Sequence, residues 1–436
     1  MSVAAMRVLI TNNTLAARAG SELYVRDLAT GLLDRGITPI VYSTMLGEVA
    51  EELRRLTVPV IDDLEALAAP PDLIHGQHHL ETMTALLHFP GVPAVYFCHG
   101  WLPWEEMPPR SPRILRYVAV DQTCRDRLVC EQAIPEDRVR VLLNFVDLER
   151  FKPRPPLPAR PARALIFSNN ANEQTHAPAI REACRRSGIA LDVVGLQAGN
   201  ACANPEALLG GYDLVFAKAR SAIEALAVGA AVVLCDANGV GEMVTTGNLE
   251  RLRPLNFGIR ALREPVSAAA LQREIGRYDA RDAGEVSRRI RTAAGRDAVV
   301  DEVVALYREV IAEGTALPPA DASAEARAAA AYLRALAPRL KERDGLWIAY
   351  RAMQGELDDL QNECAAQRAA CDAVRAELAA RDQSLDAERQ QGLAAQAELE
   401  RMRRTLGWRL LSCYGPIKYR WVLPAYHRVK KLLKGE

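Results

Sequence analysis

The chain has 436 residues, more than one hydrophobic core usually supports, so we expect two or three domains. Hydrophobic residues make up 49% of it and charged residues 25%, which is typical of a soluble globular protein. No apolar run approaches the roughly 18 residues of a membrane-spanning helix, which excludes an integral membrane protein. The net charge is zero, yet residues 401–436 hold ten Lys or Arg and one Glu, which predicts an anionic partner surface.

The nine cysteines are scattered and show neither C-x-x-C nor zinc-finger spacing. Since the N-terminus does not have the pattern of a signal peptide, we expect reduced thiols and a cytoplasmic location. The run "HGQHH", residues 75–79, could suggest a metal site. However, the pattern supplies no carboxylate or further ligand set, so hydrogen bonds at a strand–loop junction are favoured and no metal is predicted.

Strand-like and helical runs alternate along residues 1–151, beginning with the strand "MRVLITNN" and the helical "AGSELYVRDLATGLLDRG". This alternation predicts a parallel sheet covered on both faces, a Rossmann-like domain. The Pro-rich linker "FKPRPPLPARPAR" follows. The alternation restarts over residues 162–315, which predicts a second Rossmann-like domain, and ligands are expected in the cleft between the two.

The segment "TALPPADASAE" is a second predicted linker, followed by a helical, coiled-coil region over residues 323–406. An unbroken heptad register runs from Leu346 to Leu406, which favours an oligomer interface over a solitary helix. Its apolar core positions include Tyr350, Met353, Leu357, Leu360, Cys364, Cys371, Val374, Leu378, Leu385, Leu399 and Met402. The seam is interrupted at Gln367, Arg381, Glu388 and Gly392, so we expect weak or partner-specific pairing.

Residues 407–436 form a basic aromatic tail. Lys and Arg alternate there with Trp408, Tyr414, Tyr419, Trp421 and Tyr426. Aromatic rings and cations together suit a bilayer interface, which predicts peripheral contact with the inner face of the membrane. Nucleic acid and solvated disorder are the alternatives; we predict no nucleic acid because the body shows no matching basic face.

The stretch "FAKARSAIEALAVGAAVVLCDANGVGEMV" places Lys218 and Arg220 just before a predicted helix start, where they suit an anion better than simple solvated loop charges. Ser221 and Glu224 have the spacing of a capping box, a structural role that needs no ligand. Gly239 and Gly241 either bring backbone N–H groups to a ligand or are ordinary turn residues. Gly20 allows close approach to a phosphate or to its own helix.

Two stretches, "RVRVLLNFVDLERFKP" and "IEALAVGAAVVLCD", resemble motifs of the retaining GT-B glycosyltransferases of family 4. The run "TCRDRLVCEQAIPEDRVRVLLNFVDLERFKP" is similar to the end of their first domain, with Phe145 in place of a glycine. "IEALAVGAAVVLCD" is similar to a second motif of that family, and the resemblance covers about residues 7–315. The positions that match the first motif are Asn144, Val146, Asp147, Phe151 and Pro153.

The resemblance implies a hexosyltransferase-type enzyme that moves a sugar from a nucleotide-diphosphate donor with retention and without a bound metal or cofactor. It implies that His99 is the first-domain histidine near the reacting sugar and that Glu224 holds the donor ribose. Two family features are missing: Phe216 stands where a signature glutamate is expected, and "SNNANEQTHAP" lacks the usual cations. We therefore expect Lys218 and Arg220, with Ser221, Gly20, Gly239 and Gly241, to bind the donor.

The sequence predicts a glycosyltransferase tethered by its C-terminal region, with a glycan or lipid-linked acceptor in surface polysaccharide assembly. Loss of the signature residues supports an alternative, a catalytically inactive scaffold that acts through its coiled coil. A sugar-nucleotide epimerase with the same fold is a third hypothesis, for which a coiled-coil anchor has no obvious use.

Overall fold

Seven parallel strands form the first sheet of the computed structural model, which describes residues 6–318 and 321–433. Their spatial order is β3-β2-β1-β4-β5-β6-β7, and the five strands between the two edge strands are largely buried because helices cover both faces. The strands are β1 (Arg7–Thr11), β2 (Thr38–Tyr42), β3 (Val60–Ile61), β4 (Leu73–Gln77), β5 (Ala94–Cys98), β6 (Ile114–Ala119) and β7 (Val139–Val141). The helices between them are α1 (Gly20–Leu33), α2 (Glu48–Arg55), α3 (His79–His88) and α4 (Gln122–Asp126).

Five strands form the second sheet, in the order β12-β11-β10-β8-β9. The strands are β8 (Arg163–Phe167), β9 (Ala190–Val194), β10 (Leu214–Ala217), β11 (Ala231–Asp236) and β12 (Gly239–Met243). The edge strand β12 pairs antiparallel with β11, whereas the other pairs are parallel. The helices are α5 (Ala177–Ser187), α6 (Pro205–Leu209), α7 (Ala219–Val228), α8 (Leu249–Leu252), α9 (Ala268–Ile275), α10 (Ala280–Ala293) and α11 (Arg296–Ala316).

Helix α11 does not pack where the predicted domain boundaries place it. The sequence places it in the second domain, but Val300, Val303 and Tyr307 lie fully buried in the core of the first. Tyr307 also hydrogen-bonds His75 Nδ1 at 2.6 Å. The chain therefore crosses back to the first sheet after completing the second, which ties the two α/β domains together.

The chain divides into two compact units, the first ending at Leu336 and the second beginning at Ala337. The long helix α12 (Ala322–Arg404) is followed by α13 (Leu406–Ile417), a π-helical turn (Lys418–Val422) and α14 (Leu423–Leu433). Residues 434–436 and the side chain of Trp408, which belong to the predicted tail, lie outside what the structure describes. Within the described residues, none of the helices combines the length and apolarity that a membrane span requires.

The predicted fold class is confirmed: two α/β sheets, parallel except for the edge strand β12, are followed by a long C-terminal helix. The pairing of that helix into a coiled coil stays a prediction. The antiparallel β12 was not predicted, because the glycines of "GVGEMV" have the composition of a turn.

Candidate active site

A cleft of about 230 Å³ lies between the two sheets, within the first compact unit. It is bordered by the loop before α1 and by the carboxyl ends of β8, β9, β10 and β11, as expected for open α/β sheets. The polar and charged residues that line it are Arg18, Ser168, Asn169, Asn170, Lys218, Arg220, Ser221, Glu224 and Asp236. Five of the predicted donor-binding residues border this cleft, namely Gly20, Lys218, Arg220, Ser221 and Glu224.

Two helices begin at the cleft, and no described side chain caps either of them. Helix α1 starts at Gly20 after Ala19, and helix α7 starts at Ala219 after Lys218. The first backbone N–H groups of a helix have no partner within the helix, so an uncapped start favours an anion. Gly20 leaves this space open, since a Cβ built there would meet no described atom within 4 Å.

The predicted capping box at Ser221 and Glu224 is wrong. Helix α7 begins at Ala219, so both residues lie inside it. The start is displaced because Ala219 takes a left-handed φ of +52° and donates its N–H to Phe257 O at 2.9 Å. Glu224 instead accepts a hydrogen bond from Arg220 Nε at 2.8 Å and is 4% exposed.

Arg220 links the two domains through buried ion pairs. Besides Glu224 on its own helix, its guanidinium contacts the Asp27 carboxylate on α1 of the first domain. Burial acts to raise the pKa of Asp27, but the charges of Arg220 and Arg26 outweigh it and lower that pKa. For Glu224 burial prevails over Arg220 and the pKa is raised. The positive charge of Arg220 is thus matched by two carboxyl groups of the chain.

Lys218 is paired in the same way. Its ammonium group contacts the Asp236 carboxylate at the end of β11, and Asp236 also accepts from Asn238 N at 2.7 Å. The Lys218 side chain is 26% exposed, whereas Asp236 is buried. Burial acts to raise the pKa of Asp236, but Lys218 and Asn238 together lower it. Lys218 therefore keeps one side open to the cleft while the other meets a carboxylate.

Arg18 is a cation of the cleft that sequence reasoning missed. It precedes α1 and pairs with Glu52 at 2.5 Å. Across the cleft, Asn169 Nδ2 donates to the Arg18 carbonyl at 3.4 Å. Asn169 belongs to "SNNANEQTHAP", so amide groups line the position where the family resemblance leads one to expect cations. Because this loop shows no hydrophobic periodicity, its sequence did not indicate that it lines the cleft.

His99 follows β5 and packs edge-on against Tyr24 of α1, with ring centroids 4.5 Å apart. Its Nε2 is buried without a hydrogen-bond partner among the described residues. Burial lowers the pKa of His99 to about 4, and the nearby Arg220 charge acts in the same direction. His99 is thus a neutral imidazole held beside the cleft, although it is not among the residues that line the cavity.

A buried His–Glu pair supports the loop that carries His99, and sequence reasoning did not find it. Glu106 Oε2 accepts the His99 backbone N–H at 2.9 Å, and Glu106 Oε1 lies 3.4 Å from His78 Nε2. Asn13 N donates to His78 Nδ1 at 3.2 Å. Burial alone would lower the pKa of His78, but Glu106 and two further carboxylates raise it.

The other histidines of "HGQHH" are also engaged in hydrogen bonds. His75 contacts Tyr307 and Gln77, and His79 Nδ1 lies 2.7 Å from Tyr332 OH. Among the residues that the structure describes, no group of three His, Cys, Asp or Glu is placed to hold a metal ion.

Gly239 and Gly241 lie on β12 and do not line the cleft. A Cβ at Gly241 would come within 2.6 Å of the Ala261 carbonyl oxygen, and one at Gly239 within 2.8 Å of the Glu264 carbonyl oxygen. Close packing against the segment after α8 therefore accounts for both glycines. Phe216, at the position of the missing signature glutamate, is fully buried in β10.

Residues 18–150 match the family model described as Glycosyltransferase Family 4. This segment is therefore similar to that family. No curated protein sequence matches the chain. The matched segment covers the loop before α1, the whole of α1 and His99, so it includes the first-domain side of the cleft.

Solved structures share the fold at low sequence identity. A glycosyltransferase from Rickettsia africae is 16% identical with a TM-score of 0.53, covering 71% of this chain and 99% of its own. HepE from Anabaena, solved with UDP and glucose, is 16% identical with a TM-score of 0.51, over 69% and 99%. Sucrose-phosphate synthase from Thermosynechococcus elongatus is 14% identical with a TM-score of 0.51, over 71% and 100%. The chain therefore has the GT-B fold, as the sequence predicted.

Proposed function

We propose that this protein is a glycosyltransferase that binds a nucleotide-diphosphate sugar in the cleft between its two sheets. The observation that carries the proposal is the meeting of two uncapped helix N-termini, those of α1 and α7, at one cleft. The similarity of residues 18–150 to Glycosyltransferase Family 4 supports it. Their N–H groups suit a diphosphate without any metal ion. The complex of HepE with UDP and glucose supports a donor of this class.

The residues around the cleft suit departure of a nucleoside diphosphate. The Lys218 ammonium group is partly open to the cleft and can neutralise charge that develops on the diphosphate. Arg220 stabilises the diphosphate only through the electrostatic field of its positive charge, because its hydrogen bonds go to Asp27 and Glu224. Ser221 and Glu224 lie one helical turn into α7, where we expect the donor's ribose to bind.

As the family resemblance implies, we expect neutral His99, beside the cleft, to lie near the transferred sugar. We infer that transfer proceeds with retention, that the sugar is a hexose and that no metal takes part. Retention and a hexosyl donor are what the family resemblance implies, and the two helix N-termini at the cleft also support a reaction without a metal.

Direct binding tests the donor site. We expect isothermal titration with UDP-, GDP- and ADP-hexoses to find one donor that binds equally well with and without EDTA. Lys218→Ala should weaken that binding about tenfold, because a charged contact to phosphate is lost. Lys152→Ala, at an exposed lysine of the linker, should leave the affinity unchanged. Equal affinities in the two variants would reject the assigned role of Lys218.

A second candidate function is an inactive glycosyltransferase-like scaffold. The specific observation in its favour is that Lys218 and Arg220 already have carboxylate partners and that Phe216 replaces a signature acid. Absence of binding by every donor, with the helices and sheets intact by circular dichroism, would favour the scaffold. Binding together with slow donor hydrolysis would favour the transferase.

We further propose that the acceptor is a lipid-linked glycan in surface polysaccharide assembly and that the tail holds the enzyme on the inner face of the membrane. Helix α14 supports this, because Tyr426, Val429 and Leu433 recur at helical spacing and are 59%, 54% and 82% exposed. Arg428, Lys430 and Lys431 lie at the intervening positions. An apolar face flanked by cations suits an anionic lipid surface.

Vesicle flotation tests the membrane contact. The full chain should float with phosphatidylglycerol vesicles and not with phosphatidylcholine, and Arg428→Glu/Lys430→Glu/Lys431→Glu should abolish flotation. The matched control replaces Arg185, Arg288 and Arg289 of the second α/β domain by Glu, and this variant should still float with phosphatidylglycerol vesicles. Equal flotation with both lipids, or with the tail variant, would contradict electrostatic anchoring.

A further inference from the structure

The long helix α12 exposes an apolar seam that polar positions interrupt in places. Within the heptad register, Leu357 is 53% exposed, and Leu378 and Leu385 are each 56% exposed. Further seam residues more than 45% exposed are Leu346, Tyr350, Met353, Leu360, Val374, Leu399 and Met402. Removing so much apolar surface from water is favourable, so the seam fits a partner helix with the same repeat.

The charges beside the seam show what kind of partner fits. In heptad letters, with Tyr350 and Leu357 at position a, the residue before each a position is g and the residue after each d position is e. Every charged g position of α12 within the register is an acid: Glu356, Glu363, Glu377 and Glu398. The charged e positions are Arg368, Arg375, Asp382, Arg389 and Arg403.

This distribution discriminates between the two orientations of a pair. In an antiparallel pair g faces g and e faces e, which would set Glu against Glu and mostly Arg against Arg. In a parallel pair each g residue faces the e residue five positions later on the partner, which sets Glu363 against the partner's Arg368 and Glu398 against the partner's Arg403. The charges of this chain thus complement those of a second copy in parallel, and they oppose an antiparallel pairing.

We propose that two copies pair through α12 as a parallel, in-register coiled coil. This inference does not depend on the proposed glycosyltransferase activity. One g–e contact opposes it, that of Glu377 with the partner's Asp382. The polar d positions Arg381 and Glu388 also weaken the middle of the seam, although their long side chains can reach solvent from a two-stranded coil. Parallel pairing brings the two basic tails to the same end of the helix pair.

Two exposed cysteines make the register measurable. Cys364 and Cys371 both lie at a positions of α12 and are exposed. In a parallel, in-register pair each faces its own counterpart, whereas in an antiparallel pair an a position faces a d position. Cross-linking of Cys364 to itself therefore distinguishes the two arrangements.

The first experiment uses the full chain with Cys364 as its reactive thiol, in the variant Cys130→Ser/Cys202→Ser/Cys371→Ser/Cys413→Ser. Sedimentation velocity should give a dimer, and a short bis-maleimide should convert most of it into a covalent dimer. A sixfold or greater loss of cross-linking is expected when Cys364→Ser is added. A monomer, a trimer, or a dimer that fails to cross-link would overturn the proposal.

The second experiment exchanges charges within one g–e pair. Glu363→Arg should raise the dimer dissociation constant about tenfold, because each dimer contains this contact twice. Adding Arg368→Glu should restore the original constant, since the pair is rebuilt with opposite polarity. Asp358→Arg makes the same charge change at a b position outside the seam and should change the constant less than twofold. If the double variant stays as weak as Glu363→Arg, parallel pairing is refuted.

Discussion

The cleft and the long helix use charged residues in contrasting ways. At the cleft, Arg220 and Lys218 meet carboxylates of the same chain, and Asp27, Glu224 and Asp236 are buried. Along α12 the flanking Glu and Arg side chains are exposed. A buried charge is costly without a partner of opposite sign, so the partners of these charges lie within the same chain. Exposed charges along a repeat can instead contribute to the choice of a binding partner. The four predictions below test this contrast.

The largest effect is expected at Arg220. Arg220→Ala leaves the Glu224 carboxyl group buried without its cation and removes one cation of Asp27, which keeps Arg26. This should lower the free energy of unfolding by about 3–5 kcal/mol. Urea denaturation followed by circular dichroism measures it. The control is Arg288→Ala, which removes a 76%-exposed partner of Glu285 and should cost at most about 0.5 kcal/mol. Equal losses would show that the Arg220 pairs are not buried in solution.

The pH dependence of stability tests burial beside the cleft. The pKa of His99 is lowered to about 4 from 6.5, so the unfolded chain takes up a proton at a higher pH than the folded chain. The contribution of neutral His99 to the free energy of unfolding is therefore present above pH 6.5 and is lost as the pH falls toward 4. About 2–3 kcal/mol should disappear over that interval.

His99→Gln should remove this loss. Between pH 6.5 and 4, the unfolding free energy of the variant should therefore fall by about 2–3 kcal/mol less than that of the wild type. Urea titrations at each pH provide the measurement, and His427→Gln, at an exposed tail residue, is the control. An unchanged slope in His99→Gln would mean that His99 is solvated.

A pair of glycine substitutions separates packing from ligand binding. Gly241→Ala should lower the unfolding free energy by about 1–3 kcal/mol, because its Cβ would lie 2.6 Å from the Ala261 carbonyl oxygen. Gly20→Ala should leave stability within about 0.5 kcal/mol, since that space is open, and should weaken donor binding instead. Unchanged donor affinity in Gly20→Ala would exclude close approach of a donor to α1.

The smallest effect is a gain on the exposed helix. Asp382→Arg replaces the one unfavourable g–e contact with an attraction to the partner's Glu377, and should lower the dimer dissociation constant about threefold to tenfold. Sedimentation equilibrium measures the constant, with Asp386→Arg at a b position as the matched control. Weaker dimerisation in Asp382→Arg would favour antiparallel pairing.

Much of the fold could be predicted because it follows from periodicity. Strands such as "RALIFSN" and "AVVLCD" and the heptads of residues 346–406 are regular over enough residues to be read without tertiary information. The crossing of α11 to the first sheet could not be read this way. Its apolar residues predict a buried face but not the sheet against which that face packs.

The candidate site was only partly predictable. Gly20, Lys218, Arg220, Ser221 and Glu224 border one cleft, and that they bind a donor there stays a prediction. Arg18 and Asn169 were missed, because they lie in loops without a periodic signal. The capping box was wrong because the left-handed turn at Ala219 displaces the helix start, and a Ser-x-x-Glu spacing does not record backbone dihedral angles.

The sequence by itself determined the alternating α/β elements, the long helix and the chemistry of the exposed tail, since these depend on local periodicity and composition. Only the tertiary structure decided which charges neutralise each other. Asp27 and Arg220 are 193 residues apart and meet because α1 and α7 both begin at the cleft between the sheets. Pairing across such a distance depends on how the sheets pack, which no short stretch of sequence encodes.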